Sequence, residues 1–117
     1  VEPAELGGVV VQRAVLRLTH RHHARAKPGA ERDITAAAAY YESKRDGLGA
    51  EFLQALDLEL RSIQSFPSSR QQTILNFRVG STKRFPFYVF YRIEPETVSI
   101  FAVLHESREY RRVLRYR

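Results

Sequence analysis

The chain switches its hydrophobic period from helical to strand-like between residues 65 and 73, and that switch limits what it can fold into. Between residues 30 and 65 the apolar positions recur at helical spacing, and from 73 to 105 they alternate or run on as strands do. Ala30, Ile34, Ala37, Ala38 and Tyr41 make one helical stripe, and the alanines at 36–39 add helix propensity. Glu31 and Asp33 in the first turn complement the helix dipole, and Asp46-Gly47 with Gly49 stop this helix near Arg45. A second helix begins at about Leu48 and carries Phe52, Leu53, Ala55, Leu56, Leu60 and Ile63. Ser65-Phe66-Pro67 ends it, because the residue before a proline disfavours the α conformation. A connection of about three or four residues predicts an antiparallel helical hairpin.

Three strands are expected after it. The first runs from Thr73 to Val79 and ends at Gly80-Ser81, and the second covers 84–93 with Pro86 near its entry. The third is Val98 to His105. Glu94-Pro95-Glu96-Thr97 places proline where a type I turn wants it, so the last two strands form an antiparallel hairpin. That pairing sets Arg92 near Ser99 and brings Phe87 or Tyr88 beside Leu104 and His105. Tyr88, His105 and Arg84 then share one end of the sheet. Residues 21–27 read as a short strand closed by a Pro28-Gly29 turn, and the tail from Ser107 as a last helical turn or two. The expected class is α+β: an N-terminal helical hairpin packed on a small antiparallel β-sheet.

The length of 117 residues suits one domain. Residues 1–20 read as an extension of low order, or, through Val9-Val10-Val11, as an extra edge strand; the domain proper is 21–117. No apolar run approaches ~18 residues, so no membrane span is expected. The apolar stretch near the start is broken by Gln12, Arg13 and Arg17, which argues against a signal peptide. Cysteine is absent, which excludes disulfides, thiolate metal sites and a cysteine nucleophile. His20, His22 and His23 cluster around Arg21 with no carboxylate nearby, so no metal site is assigned. No cofactor motif is present.

The net charge of +6 is unevenly placed: +3 over residues 1–32, −2 over 33–77 and +5 over 78–117. The basic C-terminal third favours an anionic partner. Arg78, Lys83, Arg84, Arg108, Arg111, Arg112 and Arg115 are its candidate contacts, for a partner protein or a nucleic acid. The plainer reading is a solvated strand edge at Lys83-Arg84 and a frayed terminus beyond Arg108. Tyr110 and Tyr116 either stack on bases or pack on the sheet. Metal-free RNA cleavage needs a base at the 2′-hydroxyl, a cationic clamp on the phosphate and an acid for the leaving oxygen. Arg84, Tyr88, His105 and Arg108 are the catalytic candidates, His105 because imidazole titrates near neutrality. The alternative for His105 is a strand-end histidine bonded to backbone.

Pro28 to Ile34, Tyr40-Tyr41-Glu42 and Gly47 to Leu53, in that order, resemble the N-terminal half of the RelE/ParE superfamily of bacterial toxins. Lys83 to Ile93, then Ile100 to Leu104 with His105-Glu106-Ser107-Arg108-Glu109, are similar to its aromatic strand and closing segment. The resemblance spans about residues 24 to 110. It implies the toxin half of a type II toxin–antitoxin (plasmid stabilisation) pair. Such a toxin is cytoplasmic and pairs with a small cognate antitoxin bearing an acidic or amphipathic helix. Some of the aromatic residues 77–101 would line a groove for that helix, if they are not simply core. ParE-like members act on DNA gyrase, whereas RelE-like members cut mRNA in the ribosome. Tyr88 stands where an RNA-cutting member has arginine, and Leu114 where it has a late tyrosine; Arg108 matches. The gyrase-directed branch is therefore preferred, with the mRNA endonuclease and a non-toxic basic binding domain as alternatives.

Overall fold

The computed structural model describes residues 13–21 and 24–117. Residues 13–19 form helix α1, followed by strand β1 (His20–Arg21) and strand β2 (Ala24–Ala26). Helices α2 (Pro28–Lys44) and α3 (Leu48–Ser65) come next, with a 3₁₀ turn at Pro67–Ser69. Strands β3 (Thr73–Ile74), β4 (Phe77–Ser81), β5 (Phe87–Ile93) and β6 (Val98–His105) lead into α4 (Tyr110–Leu114). The class is α+β. Six strands form one sheet in the order β1-β2-β6-β5-β4-β3 among the described residues.

The sheet is mixed, not antiparallel throughout, because β2 pairs parallel with β6. The segment expected as one strand from Thr73 to Val79 folds back on itself as β3 and β4. Leu75 and Asn76 take φ of 51° and 68°, the pair of left-handed residues that a two-residue type I′ hairpin requires.

Helices α2 and α3 follow the apolar stripes closely and pack on each other. Ile34, Ala38, Phe52, Leu56, Leu60 and Ile63 are buried in one cluster with Phe87, Val89, Tyr91, Val98, Ile100 and Val103 of the sheet. Two strands and α1 precede them, so the helix pair does not open the chain. Pro28-Gly29 is not a turn but the first turn of α2, with proline at a position where its missing N–H costs nothing. Glu42 accepts the backbone N–H of Gly47 and of Gly49, both at 2.9 Å, and so caps α3 from α2. Gly49 allows the close approach: a Cβ there would lie 2.7 Å from the Ala38 carbonyl oxygen.

Part of the stretch expected as a loose extension is in the core. Val15 and Leu18 of α1 are buried in the helix-side cluster, and the Thr19 hydroxyl donates to the Val15 carbonyl at 2.9 Å. Residues 1–12 lie outside the described residues, as do His22 and His23.

The β5–β6 register is as read from the turn: Arg92 opposite Ser99, Tyr88 opposite Leu104, Phe87 opposite His105. Phe90 faces Ala102 and Tyr91 faces Ile100, so Phe101 is an extra residue in β6, a β-bulge. The bulge puts Phe101 and Ala102 on the same face. There they join Ile74, Phe77, Phe90, Leu104 and Leu114 in a second cluster beneath α4. The sheet is thus covered by α1–α3 on one face and by α4 on the other.

Leu75→Ile separates a turn from a straight strand. The swap keeps volume and apolarity, but a β-branched side chain is poorly tolerated at positive φ. The expected loss is about 1 kcal/mol, read as a fall in Tm of roughly 4 °C. An unchanged or higher Tm would indicate extended backbone at this residue.

Candidate functional site

Register sets the positions of the candidate residues, and the pleat separates them. Phe87 and His105 face each other on the helix side of the sheet, their rings 5.3 Å apart and edge to face. Tyr88, one residue on, points to the opposite side, where its ring meets Tyr110 of α4 at 5.8 Å. Tyr88 and His105 therefore share an end of the sheet but not a face.

His105 is oriented by the turn that follows it. The backbone N–H of Ser107 donates to its Nδ1 at 3.1 Å, with the Ser107 hydroxyl 2.7 Å from the same atom. An N–H donor at Nδ1 assigns that nitrogen as acceptor, so the neutral ring carries its proton on Nε2. Arg108 donates its backbone N–H to the His105 carbonyl at 3.0 Å, and its side chain is exposed. His105, Ser107 and Arg108 line a cleft of about 550 Å³ together with Arg32, Tyr40 and Tyr41 of α2.

The remaining cations lie elsewhere. Arg84 makes a 2.6 Å ion pair with Glu51 at the start of α3 and lies over the Phe85 ring. Arg45 joins the same carboxylate at 2.9 Å. Hydrogen bonds from Arg84, and then from Arg45, hold the Glu51 carboxyl below its ordinary range. Lys83 is exposed in the loop before β5, a loop tied by the Thr82 hydroxyl donating to the Phe85 carbonyl. Arg78 donates to the Arg70 carbonyl at 2.6 Å and to the Ser68 carbonyl at 3.4 Å, so its guanidinium anchors the chain after α3. Arg111, Arg112 and Arg115 are exposed on α4, where with Glu109 and Tyr110 they line a second depression of about 470 Å³.

Sequence reasoning missed the helix wall of the cleft. Arg32, Ala36 and Tyr40 recur at four-residue spacing on α2, beside Asp33, Ala37 and Tyr41. The alanine run reads as helix propensity, but Ala36 and Ala37 also leave the space that the cleft occupies. A cation and an aromatic flanking small residues at i, i+4 and i+8 is the signal that was available.

Sequence reasoning also missed a clasp at the cleft wall. Beyond Ile100 the outer edge of β6 has no strand neighbour, since β2 ends at Ala26 and hands over to α2. Asp33 and Arg117 fill the gap. The Val103 N–H donates to Asp33 Oδ2 at 3.0 Å, and Arg117 Nη1 donates to the Phe101 carbonyl at 2.9 Å. The guanidinium grips the carboxylate with both forks, at 2.7 and 2.9 Å. The Asp33 side chain is 8% exposed and that of Arg117 19%. The Asp33 bond raises the Arg117 pKa above its already high ordinary value. Gly29 lies against the clasp: a Cβ there would come within 2.9 Å of the guanidinium, which would have to shift.

A family profile described as "ParE toxin of type II toxin-antitoxin system, parDE" matches residues 24–110. A solved structure described as "Chromosomal ParDE TA system from P. aeruginosa" has a similar fold, with a TM-score of 0.61 at 16% identity. The match covers 74% of this chain and 98% of that one. No curated protein matches the sequence significantly.

Arg117→Ala tests the clasp. Removing one partner of a buried pair strands the other charge, at a cost of about 3 kcal/mol; Tm should fall by roughly 10 °C. Arg117→Lys keeps the charge but loses the fork, and should fall between the two. A loss below about 1 kcal/mol in Arg117→Ala, the worth of an exposed pair, would refute this role.

Proposed function

We propose that this chain, which belongs to the ParE toxin family of type II toxin–antitoxin systems, arrests growth by binding DNA gyrase and is neutralised by a cognate antitoxin. The observation that carries the reading is the dispersal of the groups that RNA cleavage would need in one place. Arg84 is held by Glu51, and Arg78 by backbone carbonyls. Tyr88 lies across the sheet from His105, whose Nδ1 is taken by the Ser107 N–H. Of the four catalytic candidates only His105 and Arg108 share a cleft.

The antitoxin reading is supported by α4. Its Arg111, Arg112 and Arg115 are exposed, and Tyr116 beside them is 87% exposed. Cations and an aromatic on one small surface complement an acidic or amphipathic helix, with charge guiding the encounter and the ring supplying contact area. Among the described residues no helix is long and apolar enough to cross a membrane.

A ribosome-dependent mRNA endonuclease is the second reading, and the observation in its favour is that His105 and Arg108 share one cleft.

Expression without an antitoxin separates the readings. The gyrase reading predicts filamentation, a DNA-damage response and loss of supercoiling by purified gyrase on addition of the protein, with transcripts intact. Normal supercoiling would contradict it. Breaks at translated codons that vanish in Arg108→Ala would establish the endonuclease instead. Harmless overexpression would leave only a binding domain.

A further inference from the structure

We propose that the cleft between α2 and the end of the β5–β6 pair is a binding site for a nucleoside monophosphate. Arg32, Arg108 and His105 would hold the phosphate, and the exposed ring of Tyr40 would carry the base. The inference does not rest on the toxin reading.

Charge is the first argument. Asp33 is the one acidic residue lining the cleft, and both of its carboxylate oxygens are occupied by Arg117. Arg32 and Arg108 are exposed and make no ion pair among the described residues. The lining therefore presents two uncompensated guanidinium groups, whose charge and paired N–H donors suit phosphate oxygens. The clasp is thus what sets the sign of the cleft.

Donor direction is the second argument. Ser107 occupies Nδ1 of His105, so the ring offers Nε2–H as a further donor without needing to be protonated.

Shape is the third. Val103 and Phe87 with Ala36 and Ala37 supply an apolar lining, and about 550 Å³ lies within the range of sites that hold small organic ligands. Tyr40 is 58% exposed, a large aromatic left in water. Its ring stands edge-on to Tyr41 at 5.4 Å, and the Lys44 ammonium lies 4.9 Å from its centroid. A held tyrosine ring beside phosphate-binding cations is a platform on which a nucleobase stacks.

The test is calorimetric titration of the full chain with adenosine 5′-monophosphate, inorganic phosphate and adenosine. The expected result is saturable binding of the monophosphate, at least about tenfold tighter than phosphate or adenosine. Arg108→Ala and Arg32→Ala should each weaken it about tenfold, Tyr40→Ala should reduce the advantage over phosphate, and Arg61→Ala should leave it unchanged. All four residues are exposed, so circular dichroism can verify that each variant folds. No saturable binding, equal affinity for phosphate and the monophosphate, or undiminished binding in Arg108→Ala would each overturn the proposal. So would an equal loss in Arg61→Ala, which would mark nonspecific attraction to a cationic surface.

Discussion

A sheet edge left without a strand must satisfy its backbone groups elsewhere, and in this chain Asp33 and Arg117 do so. One carboxylate receives two guanidinium N–H groups and the Val103 amide, while the same guanidinium caps the Phe101 carbonyl. Eighty-four residues of sequence separate the pair. The clasp therefore joins the second turn of α2, the bulged segment of β6 and the residue that follows α4 by three positions at one point. Its burial makes it costly to break from one side. Gly29 belongs to the same unit, because a Cβ there would press on the guanidinium.

The two faces of the sheet are separated chemically by this arrangement. On the helix side, neutralising Asp33 leaves a cleft governed by Arg32, Arg108 and His105. On the other side, the Phe101 bulge widens an aromatic surface on which α4 rests, so its arginines point outward. Arg92 lies over the Phe77 and Phe101 rings at 4.0 and 5.1 Å on that same side, its charge set against ring faces. Exposed arginines thus cluster in two separate places, in the cleft on one face and around α4 on the other.

Much of the fold was legible because the two helices and the β5–β6 hairpin are specified locally. Their stripes, the capping glycines and Pro95 act over a few residues. The failures share a different cause. Leu75-Asn76 carries no glycine, and Asn76 alone is a weak turn signal, so the fold-back between β3 and β4 was not read. Pro28-Gly29 has a turn composition, but proline is equally at home in the first turn of a helix, and the glycine answers to a residue at the other end of the chain. Val15 and Leu18 looked unanchored because their partners are distant in sequence. The site suffered most from long-range pairing. Arg84 and Arg78 look free in the sequence, and only the fold shows Glu51 and the 68–70 carbonyls taking them. The adjacency of Tyr88 to the position opposite His105 was readable, but the face on which each would lie was not.

The dependence of the β6 edge on the clasp can be read at a single atom. Native-state hydrogen exchange at the Val103 amide, compared with its neighbours in β6, reports whether Asp33 shields a group that no strand covers. Protection close to that of the β5-paired amides, lost selectively at Val103 in Asp33→Ala, is the predicted result. Fast exchange at Val103 in the unaltered protein would contradict the account, since the edge would then be open to water and the cleft wall beside it unsupported.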